Sequence, residues 1–125
     1  MLTHFLTKMG TNCKSTDNYS WNHYIQYPEA VEKLDAKEAL QKYKPKAVIS
    51  SWTPPGNTFE QNVFETESVQ LYIRIGTKNQ SFTGNHEIYQ KQNGFIMEFS
   101  ESLSQLLLPP SSENAVYIFR RKETK

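Results

Sequence analysis

At 125 residues the chain fits one domain, and a hydrophobic content of 37 % with 13 % aromatics is enough for a modest single core. The 14 Lys and Arg nearly cancel the 13 Asp and Glu, which excludes the one-signed field that concentrates a protein on nucleic acid or an anionic membrane. No apolar run approaches the ~20 residues of a membrane span, the N-terminus shows no basic-then-apolar leader, and a single cysteine, Cys13, cannot make an internal disulfide. The expectation is a cytoplasmic protein.

Leu2, Phe5, Leu6 and Met9 recur at helical spacing and Gly10 follows as a C-cap, so the first ten residues predict the last turns of an amphipathic helix. No N-cap signal precedes them, which suggests a chain that begins inside an element of a longer ancestor. Thr11 to Thr16 predicts a strand ending at the turn Asp17-Asn18, and Val31 to Leu34 a second one ending at Asp35. Asp35 is placed to cap a helix over Ala36 to Tyr43, with Ala39, Leu40 and Tyr43 as its buried stripe, and Lys44-Pro45 stops it.

Ala47, Val48 and Ile49 form a short apolar run into Ser50-Ser51-Trp52, as expected of a central strand, followed by a tight loop Thr53-Pro-Pro-Gly56. Phe59, Val63 and Phe64 predict a short helix capped by Asn57 or Thr58. Val69, Leu71, Ile73 and Ile75 alternate with Gln70, Tyr72 and Arg74 in the clearest strand, which Gly76 ends. Residues 77–94 read as a long surface connection with one helical turn around Glu87 to Gln90. Phe95 to Phe99 predicts a strand, Ser102 to Leu108 a short helix before Pro109-Pro110, and Ala115 to Arg120 a last strand paired with Phe95 to Phe99 as a hairpin. The alternation gives an α/β chain with a mainly parallel sheet and a C-terminal antiparallel hairpin.

Ligands of open parallel sheets bind outside the carboxyl ends of the strands. Those ends carry Asp17-Asn18, Asp35-Ala36, Ser51 to Gly56 and Gly76-Thr77. An acid at one strand end suits a ribose diol, and an acid or amide at the next suits an adenine amino group; equally, Asp17 can begin a turn and Asp35 cap a helix. Two prolines stiffen the loop after Trp52, whose ring offers a stacking surface, and a rigid loop suits the in-line positioning of a nucleophile; it also suits a plain structural turn. His4, His23 and His86 lack metal-ligand spacing, so no metal site is expected. The basic tail Arg120, Arg121, Lys122 and Lys125 reads as a solvated terminus rather than a nucleic-acid contact.

The ordered series Ser15-Thr-Asp-Asn-Tyr-Ser-Trp21, Leu34-Asp-Ala-Lys-Glu-Ala-Leu40, Tyr43-Lys-Pro-Lys-Ala-Val-Ile-Ser-Ser-Trp-Thr-Pro-Pro-Gly56 and Val69-Gln-Leu-Tyr-Ile-Arg-Ile-Gly76 resembles Rossmann-like class I S-adenosylmethionine-dependent methyltransferases over nearly the whole chain. The resemblance implies strands two to five of that fold in a single truncated domain, with S-adenosylmethionine as cofactor. Asp17 with Asn18 would hold the ribose, Asp35 with Ala36 would lie near the adenine, and Ser51, Trp52, Thr53, Pro54 and Pro55 would line the acceptor site. Thr53 stands where amine and amide methyltransferases often carry an acid or amide, and Gly56 where they carry an aromatic.

The first strand of that fold and its glycine-rich loop have no counterpart in the chain. That strand normally lies between the second and fourth. Either those two pair directly, or a second copy or a partner chain fills the gap. The alternative function is a non-catalytic binding or oligomerisation module that keeps the fold without the cofactor.

Overall fold

The computed structural model describes residues 14–17 and 31–122. They fall into two compact units divided between Tyr43 and Lys44. The expected N-terminal helix and Asn18 lie outside the described residues.

In the first unit, β1 (Ser15–Asp17) and β2 (Val31–Lys33) form a two-stranded parallel sheet in which Asp17 is opposite Lys33. Helix α1 (Ala36–Tyr43) starts where Asp35 Oδ1 accepts the Glu38 amide at 3.0 Å, an N-cap that satisfies one of the helix's free donors. Glu38 in its first turn and Lys42 in its last complement the helix dipole. Lys42 and the Tyr43 hydroxyl both donate to Glu32 of β2, which fastens α1 to the strand; the Lys42 bond holds the exposed Glu32 carboxyl below its usual range, with Tyr43 adding to it. Lys44, at φ 43°, carries the chain out of the right-handed helical region before Pro45.

The second unit contains β3 (Ala47–Ser51), α2 (Phe59–Glu65), β4 (Leu71–Thr77), α3 (His86–Lys91), β5 (Phe95–Phe99), α4 (Glu101–Ser104) and β6 (Asn114–Arg121). Its four strands lie in the order β3-β4-β6-β5. β3 and β4 are parallel, whereas β6 runs antiparallel to both β4 and β5.

The mixed α/β class is as expected, and so is the antiparallel pairing of β5 with β6. The mainly parallel sheet is corrected: this sheet is mostly antiparallel with one parallel pair. The reason is insertion. β6 enters between β4 and β5 instead of adding at the edge, so one reversed strand makes two antiparallel ladders.

The core is aromatic. Phe64 of α2 packs edge-on against Tyr72, Phe95 and Phe119 at centroid distances of 5.6, 5.3 and 5.1 Å, and Tyr89 of α3 lies 5.0 Å from Phe119. These rings are all buried, and Val63 of α2 and Val69 before β4 join them. Offset and edge-on pairs of this kind add ~0.5–1.5 kcal/mol each beyond the burial of their area.

In β4 the fully buried positions are Tyr72 and Arg74, while Leu71, Ile73 and Ile75 are only half-buried. The strand is as legible as its alternation promised, yet its polar-looking face is the inner one. In the segment 77–94 the helical turn expected around Glu87 to Gln90 is present as α3, whereas the surface connection is corrected: Thr77, Thr83, Gly84 and Tyr89 are buried, because its polar groups find partners inside the unit. The helix expected over Ser102 to Leu108 is reduced to α4, whose Ser100 cap accepts the Leu103 amide at 3.3 Å.

Candidate ligand cleft and the buried network beneath it

At the carboxyl ends of β3 and β4 the second unit opens into a cleft of about 580 Å³, within the size range of small-molecule sites. Trp52 lines it from the loop after β3, Thr77 and Asn79 from the end of β4, and Phe82 and Thr83 from the turn that follows. Ser111, Glu113 and Asn114 complete it from the start of β6. They reach this end of the sheet because β6 is reversed, which sets Asn114 opposite Thr77.

The loop that carries Trp52 is built under constraint. Trp52 has φ 53°, a conformation that costs a bulky residue on the order of 1–3 kcal/mol, and its amide extends the β-ladder by donating to Ile75 O at 2.8 Å. Its side chain is 53 % exposed, so burial does not repay the strain. Thr53 is buried and its carbonyl accepts the Gly84 amide at 3.0 Å, while Asn57 Nδ2 donates to Pro54 O at 2.8 Å. Gly56, at φ 64°, supplies the turn that Thr53-Pro-Pro needs.

Asn57 also joins this loop to a buried carboxylate. Glu60 of α2 is fully buried and accepts four hydrogen bonds. Tyr72 and Tyr89 donate to Oε2 at 2.7 and 2.5 Å, and Asn57 Nδ2 and the Asn85 amide donate to Oε1 at 2.6 and 2.9 Å. Tyr72 spends its only proton on Glu60, so Ser50, 2.5 Å from the Tyr72 oxygen, is the donor in that contact. Burial pushes both phenols well above their ordinary range, and the neighbouring Glu60 charge pushes them further.

Arg74 is the cationic member of the network and is likewise fully buried. Its Nη1 donates to Thr77 O and Thr83 Oγ1, both at 3.2 Å, and its guanidinium carbon lies 4.6 Å from the Tyr117 ring centroid. Nη2 is 3.2 Å from His86 Nε2. Since arginine has no acceptor, Nε2 must accept, which leaves the ring proton on Nδ1. The two glycines in this region make room for the guanidinium: a Cβ on Gly76 would lie 2.6 Å from Arg74 Nη1, and one on Gly84, at φ 83°, 2.6 Å from the Tyr89 hydroxyl. Thr53 Oγ1 and Arg74 Nε are the two buried side-chain polar atoms without a hydrogen-bond partner among the described residues.

His86 gives the network a pH dependence. Burial, and then the Arg74 charge, hold its pKa below the ordinary 6.5. The unfolded chain therefore takes up the His86 proton before the folded one does. This contribution to stability is complete above about pH 6.5 and is lost as pH falls through the lower folded value. Thermal melts at graded pH should show the loss, and His86→Gln should flatten the profile in that window.

Of the residues singled out from sequence, Asp17 closes β1 and Ala36 opens α1, while Asp35 is engaged as the cap of that helix. Ser51 ends β3, exposed, and Pro54 and Pro55 are exposed in the loop beyond. Trp52 alone among them lines the cleft; Thr53 is buried against Gly84 instead. Sequence reading pointed to Thr77 as a strand end but missed Asn79, Phe82 and Thr83 just beyond it, and Ser111, Glu113 and Asn114, which become their neighbours only through the inserted β6.

No protein-family model, curated protein or solved structure matches the chain. Among the described residues no helix is long and apolar enough to cross a membrane, and no cluster of three His, Cys, Asp or Glu side chains is placed to hold a metal ion.

Proposed function

We propose that the chain is a methyltransferase-like domain of partial Rossmann type, related to enzymes that use S-adenosylmethionine; in the first unit Asp17 and Asp35 are the candidates for its nucleoside, and in the second the cleft beside Trp52 is the candidate for the methyl acceptor. The observation that carries this reading is the strained Trp52. An exposed indole held at φ 53° at the carboxyl end of a parallel strand costs stability without a packing return, and such outliers concentrate where a side chain is positioned for a ligand.

The acids fit the chemistry of a nucleoside. Asp17 is the last residue of β1 and Asp35 follows β2, its parallel partner, and capping engages only Oδ1 of the exposed Asp35. When bound, the cofactor supplies an activated methyl group. The chain's own contribution is to hold the sugar at Asp17 and to orient the acceptor against Trp52, with Pro54 and Pro55 limiting the motion of that loop.

Adding S-adenosylhomocysteine to isotopically labelled protein should shift the amide resonances of Thr16, Asp17 and Asp35 to Glu38. Shifts confined to other residues would contradict the assignment. A separate expectation concerns the strain itself. Trp52→Asn should raise the free energy of unfolding by about 1 kcal/mol, since Asn tolerates the left-handed region, while removing the ring that faces the cleft. Urea titration measures the first effect, and a stability loss there would show the indole to be structural.

The alternative, a binding or oligomerisation module, is favoured by a different observation. Among the described residues β3 is an edge strand of the four-stranded sheet, and Ile49 within it is 41 % exposed. Sedimentation as a monomer at micromolar concentration would remove this reading.

A further inference from the structure

We infer that the cleft beside Trp52 selects an organic cation, so that the acceptor carries a substituted ammonium as its recognition group, while a separate neutral atom with a free lone pair takes the methyl and releases its proton to water. This inference rests on the proposed role of the cleft as the acceptor site and names the chemical class that enters it. Two aromatic rings and one carboxylate carry it. Trp52 and Phe82 both line the cleft and are 53 % and 67 % exposed. Neither ring packs on another aromatic or beneath a cation among the described residues. The cations that do lie over rings are engaged elsewhere: Arg74 on Tyr89 and Tyr117, Lys78 on Phe99, Arg121 on Phe95 and Lys42 on Tyr43.

Glu113 is the only charged residue lining the cleft, and it is exposed and takes part in no ion pair among the described residues. Lys78 lies between two lining residues in sequence, but its Nζ is 5.1 Å from the Phe99 centroid. Arg74 is buried and donates to Thr77 O and Thr83 Oγ1, and its guanidinium carbon is 5.6 Å from the centroid of Tyr89, whose hydroxyl donates to the Glu60 carboxylate. The cleft therefore gathers two exposed aromatic side chains and an exposed carboxylate, the combination that recognises substituted ammonium groups. Asn79, Asn114 and Thr77 add neutral polar groups suited to the rest of such a molecule.

The test is fluorescence titration of a Trp21→Phe variant, in which Trp52 is the only indole left. The probes are choline, its uncharged isostere 3,3-dimethylbutan-1-ol, and acetate. Choline should shift the emission saturably and bind about tenfold more tightly than the isostere, a ratio that one or two cation–π contacts and a carboxylate supply. Glu113→Gln and Phe82→Ala should each weaken choline several-fold, and both positions are exposed enough for the variants to fold. Equal binding of the isostere, no saturable shift with choline up to ~10 mM, or tighter binding of acetate would overturn the inference. Calorimetry with S-adenosylhomocysteine on the same sample separates the two claims: nucleoside binding without choline binding refutes only the cation, and choline binding without nucleoside binding refutes only the cofactor.

Discussion

Glu60→Gln should destabilise the second unit by about 3 kcal/mol, although it changes a single atom. All four partners of Glu60 arrive as donors: two phenols, one side-chain amide and one backbone amide. A carboxylate accepts from all of them. Glutamine accepts at one end only and turns an NH₂ group toward two donors at the other, so at least one buried donor loses its partner. Losing one partner of a buried charged network typically costs ~3–5 kcal/mol, and for a unit of this size ~3 kcal/mol lowers Tm by roughly 12–24 °C. Glu60→Ala should be at least as severe, since it orphans the same donors and opens a cavity. Urea and thermal melts measure both. A Glu60→Gln protein within about 0.5 kcal/mol of the parent would show that the four bonds do not act as drawn.

Arg74→Met should cost a similar amount by the opposite route. Methionine approximates the length of the stem and can fill the space between the Tyr89 and Tyr117 rings, but it removes the donors to Thr77 O, Thr83 Oγ1 and His86 Nε2. Each buried group left without its partner costs ~1–3 kcal/mol, which puts the variant in the same range as Glu60→Gln. Because Thr83 lines the cleft and Gly84 bonds to Thr53 O, the variant should also alter Trp52 emission before global unfolding. The double variant Glu60→Gln, Arg74→Met should cost less than the sum of the singles, since each removes part of what the other leaves uncompensated. Strict additivity would argue that the two charges are energetically independent.

Much of the local structure was legible. β4 followed from strict alternation, α1 from Asp35 ahead of an apolar stripe and Pro45 behind it, and the pairing of β5 with β6 from two apolar runs late in the chain. What periodicity could not reveal was which face of β4 is inner. Tyr72 and Arg74 read as the polar face, yet Glu60, Thr83 and His86 supply partners that make their burial favourable. Those partners lie 9 to 12 residues away in sequence, on other elements or turns, and no local pattern records them.

The insertion of β6 was hidden for a related reason. Hydrophobic runs define strands but not their order, and the order is set by which ladders and faces pack best once all are present. That single choice brings Glu113 and Asn114 beside Trp52 and Thr77. The candidate cleft was therefore half readable: its β3 and β4 ends follow from the rule that ligands sit beyond carboxyl ends, whereas its β6 side needed the topology. Asp35 shows the reverse case, since both of its sequence readings, helix cap and nucleoside acceptor, use different oxygens of one carboxylate and are compatible.

The most direct test of the proposed function is calorimetric titration of the whole chain with S-adenosylmethionine and S-adenosylhomocysteine, with Asp17→Ala alongside. The account predicts micromolar binding of both compounds in the parent and a loss of at least tenfold in the variant, as expected when a charge-assisted bond to a sugar hydroxyl is removed. No heat at millimolar ligand, or binding that Asp17→Ala leaves unchanged, would contradict it.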